Sequence, residues 1–236
     1  MSADPSVSAW LRVRSPIDRT VALAALVVVS PLLVLLGIAI RRGDRGPAVI
    51  SLDRVGQAGR PFRLYKLRTM VPSGADGRAA GSTLTSFDDR RVTPLGGALR
   101  RRRLDELPQL LNVLRGDMLL LGTRPESPGF VDATSRGWRD VLRVRPGIAG
   151  PTQLLVADWE GRALPAADAE RVYREEILPV KLRIDAWYVA NASPRIDAMI
   201  ALSLVERFIL GRPVTRVHRR LAGMLPAAAQ PSGLAP

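Results

Sequence analysis

Two neighbouring carboxylates, Asp105 and Glu106, follow directly behind the densest positive charge of the chain, in the stretch LRRRRLDELPQLL at residues 99–111. Acids beside clustered arginines suit two kinds of structure. One is a solvated helix end, where each exposed ion pair contributes under ~1 kcal/mol. The other is a phosphate-binding site in which guanidinium groups hold a carboxylate ionised. Charge alone favours the helix end, so the choice depends on the rest of the sequence.

The residue composition restricts the chemistry that is open to this site. The 236 residues include no cysteine and one histidine, His218, which excludes disulfides, a thiol nucleophile, the usual zinc sites and a Ser-His triad. Catalysis must therefore use carboxylates, lysine, arginine, hydroxyls or an oxygen-bound metal such as Mg²⁺. The formal net charge of +13 predicts anionic partners, namely nucleic acid, lipid headgroups or phosphorylated substrates. Aromatic residues make up only 5% of the chain, which weakens base stacking as an explanation.

The residues around the two acids predict a helix junction. Leucines recur with a helical period, at positions 104, 107, 110, 111 and 114. Pro108 interrupts this period, so we expect one helix to end or kink near Glu106 and a second to begin around Leu107. Neighbouring residues on a helix point about 100° apart, and the two acids should therefore have different roles.

The elements on either side supply further basic residues. AVISLDRV and RPFRLYKLRTM flank the glycine link GQAG and predict a β-hairpin, with Lys66 on its second strand. Residues 72–86 are small and polar and predict a long loop or lid. The loops LGTRPESPGF and VRPGIAGPTQL each present one arginine beside a proline, Arg124 and Arg145. Two amphipathic helices, with a core or an interfacial role, are predicted from about residue 166 to residue 210.

Residues 20–40 form an uncharged, mostly apolar run, and roughly 20 such residues suffice to span a bilayer. Ser30 and Pro31 stand at its middle. Pro31 removes a backbone donor, and the Ser30 hydroxyl is suited to satisfy the carbonyl that this leaves free. Arginines on both flanks favour a cytoplasmic location for both ends. These features favour a re-entrant helix over a kinked span, with a buried core helix as the third alternative.

Several segments in this order carry a resemblance to a known family: DRTVALAALVVVSPLLVLL, RVGQAGRPFRLYKLRTM, DRRVTPLGGALRRRRLDELPQLLNVLRGDM, GTRP and VRPGIAG. Over roughly residues 15–210 the chain resembles the bacterial sugar transferases known as monotopic phosphoglycosyl transferases. No four-helix membrane domain precedes these segments, so we expect the minimal form of the family. The resemblance implies transfer of a sugar 1-phosphate from a UDP-sugar to undecaprenyl phosphate, with release of UMP, in polysaccharide or glycoconjugate biosynthesis.

The resemblance also implies roles for individual residues. Asp105 matches the family's nucleophile, which forms a covalent phospho-sugar intermediate, and Glu106 matches its partner acid, associated with Mg²⁺. The matching basic positions near the bound phosphates are Lys66, Arg100, Arg124 and Arg145. Ser30 and Pro31 match the break of a re-entrant membrane helix. The chain departs from the family pattern at four positions, which leaves the sugar specificity open: Arg102, Arg103, Thr123 and Pro151.

We therefore expect an α+β, mainly helical protein. An N-terminal segment (1–14) should precede the re-entrant membrane helix (15–42). A compact membrane-associated catalytic domain (43–210), with the β-hairpin and amphipathic interfacial helices, and a disordered tail (211–236) should follow. The expected location is the cytoplasmic face of the bacterial inner membrane. The expected partners are a UDP-sugar, undecaprenyl phosphate and membrane lipids, with no nucleic acid, and a homo-oligomer stays open.

Two other functions remain open from the residues alone. A membrane-anchored basic protein that binds nucleic acid or anionic lipid without catalysis would tolerate the loss of one acid and would bind less as salt rises. An inactive relative would serve as a scaffold, and the intact pair of Asp105 and Glu106 argues against that role.

Overall fold

A computed structural model of the chain describes residues 7–44, 46–73, 84, 89–164, 168–211 and 216–226. The helices there are α1 (Ala9–Val13), α2 (Ser15–Asp44), α3 (Pro94–Arg101), α4 (Leu110–Arg115), α5 (Arg136–Val141), α6 (Pro151–Leu155), α7 (Ala157–Ala163), α8 (Ala169–Val172), α9 (Leu178–Asn191), α10 (Pro194–Leu204) and α11 (Arg216–Gly223). Turns of π-helix join α8 to α9 (Tyr173–Ile177) and prolong α10 (Val205–Ile209). The strands are β1 (Val49–Val55), β2 (Pro61–Leu67), β3 (Leu119–Leu121) and β4 (Gly147–Ala149). The α+β, mainly helical class is confirmed. Most of the predicted loop 72–86 lies outside the described residues.

Strands β1 and β2 form the predicted antiparallel hairpin, in a register that pairs Ile50 with Lys66. Helix α4 packs along β2 and is tied to its backbone by one side chain. The Asn112 Nδ2 group donates to the carbonyl of Arg63 at 2.7 Å, and the backbone N–H of Tyr65 donates to Asn112 Oδ1 at 3.1 Å. This link fixes the segment that holds the two acids relative to the strand that carries Lys66.

A second, parallel pair of strands was not predicted, because β4 and the last residue of β3 fall in segments interpreted as loops. Leu119 pairs with Gly147 and Leu121 with Ala149. A Cβ atom on Gly147 would lie 2.1 Å from the backbone nitrogen of Gly122, so only glycine permits this close approach. Because the strands are parallel, the residues that follow β3 and β4 meet at one edge, and the residues that precede them meet at the other.

The main core packs α5, α6, α9 and α10 together and extends to both ends of the described chain. Its buried members include Leu11 of α1 and, around α11, Leu221 and Leu225. The predicted disordered tail 211–236 is therefore wrong for residues 216–226. Apolar residues four apart give this segment an amphipathic stripe that the Ala/Pro/Arg-rich composition obscured. Residues 212–215 and 227–236 lie outside the described residues.

Helix α2 is the predicted apolar helix, and it is long and apolar enough to cross a membrane. Only 6% of its most apolar window is buried inside the protein, which excludes a core helix. Ser30 Oγ donates to the carbonyl of Val27 at 2.9 Å. That carbonyl lies four residues before Pro31, which has no N–H to offer it, so the serine satisfies the acceptor as predicted.

Both flanks of α2 belong to the same domain. Ahead of the helix, the backbone N–H of Ser8 donates to the carbonyl of Val189 at 2.9 Å. The buried Arg14 pairs with Asp197 and donates to the Tyr188 hydroxyl at 3.1 Å. Behind the helix, the chain passes directly into β1. A helix that crossed a bilayer core of about 30 Å would put its flanks on opposite faces, so this packing favours the re-entrant arrangement.

The topology can be tested with single cysteines, because the chain has none of its own. Arg12→Cys and Ala133→Cys are both exposed and lie before α2 and in the domain after it. An impermeant thiol reagent applied to intact cells should label neither position, and both should react after permeabilisation. Labelling of Arg12→Cys alone from outside would show that α2 spans the membrane.

Candidate active site

Asp105 and Glu106 lie on a 3-10 helical segment, Leu104–Gln109, between α3 and α4. The predicted helix junction is present, but its boundaries differ: α3 ends at Arg101 and α4 begins at Leu110. The reason is Arg103, which has a left-handed backbone with φ of 56°. Such a conformation costs a non-glycine residue about 1–3 kcal/mol and stops α3 from continuing. The two acids therefore stand on a corner and are 1% and 4% exposed.

Asp105 has one oxygen held by a cation and one without a partner. Lys66 Nζ lies 2.8 Å from Asp105 Oδ2. The other oxygen, Oδ1, is buried and has no hydrogen-bond partner among the described residues. A buried acceptor without a partner normally costs stability and often marks a functional group. Here it leaves a carboxylate lone pair free, on a side chain whose orientation the lysine fixes, as a nucleophile requires.

Glu106 is surrounded by three cations from three parts of the chain. Its Oε1 accepts from Arg103 Nη1 and from Arg124 Nη2, each at 3.0 Å, and lies 3.9 Å from Lys66 Nζ. Burial acts to raise the pKa of Glu106, but Arg124, Arg103 and Lys66 outweigh it and hold that pKa well below its usual range. Glu106 is therefore ionised near neutral pH.

The two acids and the cations Lys66, Arg103 and Arg124 form a charged cluster, and α3 adds Arg100 to it. Its Nε donates to Thr69 Oγ1 at 2.8 Å, just beyond the end of β2. Helix α3 can approach the backbone of Thr69 closely because Gly96 has no side chain. A Cβ atom on Gly96 would lie 2.0 Å from the carbonyl oxygen of Thr69. Burial lowers the pKa of Arg100, while the charge of Asp105 acts to raise it.

Two residues of the cluster were not predicted as site residues, Arg103 and Gln153. Gln153 is 5% exposed at the start of α6, where its Oε1 accepts from the backbone N–H of Gly150 at 2.7 Å. Its Nε2 donates to the Ile148 carbonyl at 3.2 Å and approaches Glu106 Oε2 at 3.5 Å. The density of arginines was a signal for Arg103. The sequence contains no comparable signal for Gln153.

Arg145 is the predicted site residue that the structure sets apart from the acids. Its Nη1 donates to Ser15 Oγ at 2.8 Å, and its side chain lines a cavity with Phe62. Phe62 and Lys66 lie on one strand, about 13 Å apart at ~3.3 Å per residue. The parallel strands explain the separation: Arg124 follows β3 at one edge, and Arg145 precedes β4 at the other. Lys66, Arg100, Asp105, Glu106 and Arg124 come together, and Ser30 and Pro31 lie in α2.

Apart from the unpartnered Asp105 Oδ1, one carboxylate oxygen of the cluster is suited to a cation. It is Glu106 Oε2, whose contacts with Arg124 Nη1 and Gln153 Nε2 are both 3.5 Å long. Mg²⁺ binds through one or two carboxylates together with substrate phosphates and water, so this donor set fits it. Within the described ranges no group of three or more acids or histidines is placed to hold a metal. Substrate oxygens would therefore complete the coordination.

A second layer of buried charge lies behind Arg124. Lys181 Nζ donates to the Tyr173 hydroxyl at 2.8 Å and lies 3.5 Å from carboxylate oxygens of Glu126 and Glu160. Asp185 stands beside this group and is 4% exposed. Burial raises the pKa of Asp185 to about 8, although Lys181 and the backbone N–H of Arg124 act to lower it. Asp185 is therefore mostly protonated near neutral pH.

Comparison with known proteins gives consistent matches. The family described as bacterial sugar transferase matches residues 10–211. An Aeromonas hydrophila protein named UDP-N-acetylgalactosamine-undecaprenyl-phosphate N-acetylgalactosaminephosphotransferase is 33% identical over 204 residues, 84% of this chain and 44% of that protein. Undecaprenyl-phosphate glucose phosphotransferase of Komagataeibacter xylinus is 33% identical, over 83% of this chain and 35% of its own length. Exopolysaccharide production protein ExoY of Sinorhizobium fredii is 30% identical, over 83% of this chain and 84% of its own length. The chain thus spans less than half the length of the first two relatives.

Arg124→Gln should destabilise the protein by about 2–4 kcal/mol near neutral pH, because it leaves the buried Glu106 carboxylate short of one cation. The loss should shrink as the pH falls toward 4, where Glu106 of the variant takes up a proton and needs less compensation. Denaturation of the detergent-solubilised protein measures both effects. Arg171→Gln removes a cation from an exposed pair and should cost under ~1 kcal/mol. An Arg124→Gln loss that is equal at pH 7 and pH 4 would contradict the proposed compensation.

Asp185→Asn should remove a pH dependence of stability. A carboxyl group whose folded pKa is raised stabilises the folded state below its unfolded pKa of 3.8, and this contribution is lost as the pH rises through about 8. The slope is at most about 1.4 kcal/mol per pH unit. Wild type should therefore lose stability relative to Asp185→Asn between pH 5 and pH 8 in denaturant titrations. The exposed Asp168→Asn serves as control. If the difference in unfolding free energy between wild type and Asp185→Asn does not change with pH, the pKa of Asp185 is not raised.

Proposed function

Because the chain belongs to the bacterial sugar transferase family, we propose that it transfers a sugar 1-phosphate from a UDP-sugar to undecaprenyl phosphate and releases UMP. The environment of the Asp105 carboxylate is the observation that best supports this proposal. One of its oxygens is held 2.8 Å from Lys66, and the other is buried without a partner among the described residues. The names of the relatives supply the class of donor and acceptor.

In the first step Asp105 Oδ1 attacks the phosphorus that carries the sugar. A bond forms between this oxygen and phosphorus, the bond to the bridging oxygen breaks, and UMP leaves with the electron pair. The product is an acyl phosphate on Asp105. The donor is anionic, so repulsion opposes the attack. Lys66, Arg100 and Arg124 lower this barrier because they offset the charge on the phosphoryl oxygens, and a guanidinium binds two such oxygens at once.

Glu106 keeps the cations of the site in place. Its buried carboxylate binds Arg103 and Arg124 at 3.0 Å each, so these side chains are oriented before substrate arrives. Mg²⁺ held by Glu106 Oε2 would supply further positive charge to the diphosphate oxygens. The two adjacent acids thus have different tasks, attack for Asp105 and positioning with metal binding for Glu106.

In the second step an oxygen of undecaprenyl phosphate attacks the phosphorus of the acyl phosphate. The bond from phosphorus to Asp105 breaks, the carboxylate is regenerated, and the sugar leaves on the lipid diphosphate. A water-soluble donor and a lipid acceptor can therefore use one carboxylate in turn.

We place this reaction at the cytoplasmic face of the bacterial inner membrane, with α2 as a re-entrant helix that bends at Ser30 and Pro31. Two observations support the re-entrant arrangement of α2 and its position beside the site. Both flanks of α2 join one domain, as described above. The second half of α2 also packs against the site, because Ile40 shares a buried cluster with Leu67, which follows Lys66, and with Leu99, which precedes Arg100. The reacting acids thus lie beside the helix that enters the lipid.

Asp105→Asn should reduce transfer at least about 10³-fold while folding and membrane association persist, because it removes the attacking anion at nearly constant shape. Glu106→Gln should also be severely impaired, and the exposed Asp132→Asn should retain activity. Wild type should exchange labelled UMP into UDP-sugar without any polyprenol phosphate. Mass spectrometry should find a phospho-sugar on the peptide that contains Asp105.

Exchange that strictly requires the lipid acceptor, with no adduct on that peptide, would favour direct transfer in a ternary complex. Nucleic-acid or lipid binding that survives Asp105→Asn and falls steeply with salt, without turnover in wild type, would favour a basic binding protein instead.

A further inference from the structure

A cavity of about 770 Å³ lies at the tip of the β1–β2 hairpin, at the end of β2 opposite to Lys66. Its charged lining comprises one acid, Asp117, and four arginines, Arg60, Arg139, Arg143 and Arg145. A smaller cavity of about 420 Å³ adjoins it, shares Arg143 and Arg145 with it, and adds Arg12. We call these two cavities together the basic concavity.

The protein neutralises this charge only in part. Arg143 Nη2 lies 3.8 Å from Asp140 Oδ1. The guanidinium groups of Arg60 and Arg139 have neither an ion pair nor a hydrogen bond within the described ranges. Arg145 donates to a neutral hydroxyl, that of Ser15. The one lining acid, Asp117, already accepts from Asn112 Nδ2 at 3.3 Å.

Exposed arginines elsewhere differ, since Arg171 lies 3.1 Å from Glu175 and Arg174 lies 3.0 Å from Glu170. Arg60, Arg139 and Arg145 have no acid partner among the described residues, and cations gathered in this way in a concave surface raise the local concentration of anions.

The concavity opens at the start of the apolar helix. Ser15, the hydrogen-bond partner of Arg145, is the first residue of α2. An apolar surface begins directly beside it, where Val13, Ile17 and Val21 are 65%, 54% and 49% exposed. Basic residues that border the end of an apolar helix lie at the level of the lipid headgroups when the helix is in a membrane.

We propose that the basic concavity binds the headgroup phosphate of an anionic phospholipid and thereby sets how the start of α2 meets the membrane. The phosphate group suits the planar forks of Arg60, Arg139 and Arg145. The site goes beyond the proposed function and depends on α2 lying in lipid, but it does not depend on the chemistry of Asp105. A donor nucleotide suits it less, because the reacting phosphorus must lie at Asp105, beyond the far end of β2.

The test uses a fluorophore on Ala133→Cys, which lines the concavity and gives the only thiol in the chain. The full chain is reconstituted in phosphatidylcholine vesicles that contain a trace of headgroup-labelled phosphatidylglycerol or, separately, headgroup-labelled phosphatidylcholine. Energy transfer to the labelled phosphatidylglycerol should exceed transfer to labelled phosphatidylcholine several-fold. The double variant Arg60→Gln/Arg139→Gln should abolish this excess of energy transfer, since each arginine near an anionic surface changes binding about fivefold.

Arg171→Gln/Arg174→Gln removes the same charge from another surface and should keep the excess. Arg60 and Arg139 are exposed and without polar partners among the described residues, so their replacement should leave thermal denaturation unchanged. The inactive Asp105→Asn variant should also keep the excess, which separates this proposal from the proposed reaction.

Three outcomes would overturn the proposal. An excess that persists in Arg60→Gln/Arg139→Gln would show that overall charge attracts the lipid. Displacement of labelled phosphatidylglycerol by UDP, UDP-sugar or undecaprenyl phosphate would assign the concavity to a substrate. A raised KM for UDP-sugar in Arg60→Gln/Arg139→Gln, measured in detergent without anionic lipid, would assign it to the donor.

Discussion

The buried carboxylate of Glu106 imposes a constraint on much of the fold. A charge that is removed from water is tolerated only if nearby cations and hydrogen-bond donors compensate it. The compensation comes from separate parts of the chain: Lys66 from β2, Arg103 from the corner after α3, and Arg124 from the loop after β3. Because these atoms lie within 4 Å of one carboxylate, three elements must meet there. The same cations then face any anionic substrate brought to Asp105.

The local features of the fold and site could be predicted from the sequence, because short patterns encode them. Alternating apolar residues around glycines specify the hairpin, and a long uncharged run specifies α2. The bond from Ser30 to the carbonyl left free by Pro31 follows from backbone chemistry alone. The proximity of Lys66 and Asp105 was expected only from the resemblance to the family, since no local rule brings a strand residue to an acid in a later segment.

The non-local features could not be predicted in this way. Arg124 and Arg145 look alike in sequence, each beside a proline in a glycine-bearing loop. They lie far apart in the structure because β3 and β4 pair in parallel. Arg124 follows β3 and Arg145 precedes β4, so the two arginines lie at opposite edges of this pair. The pairing depends on Gly122 and Gly147 passing at close range, which composition does not reveal. Gln153 reaches Glu106 only because it follows β4 at the same edge as Arg124.

The docking of the N-terminal flank has a consequence for the order of biosynthesis. Trp10 Nε1 donates to Asp197 Oδ2 at 2.6 Å, across 187 residues of sequence. At about 5–20 residues per second, a ribosome needs roughly 10–40 s to make that partner after Trp10 is complete. Helix α2 leaves the ribosome early in this interval, with its apolar surface uncovered. The core that this flank joins is therefore completed only after α2 has been made. Under the proposed function, the bilayer receives α2 before the N-terminal flank docks on the finished domain.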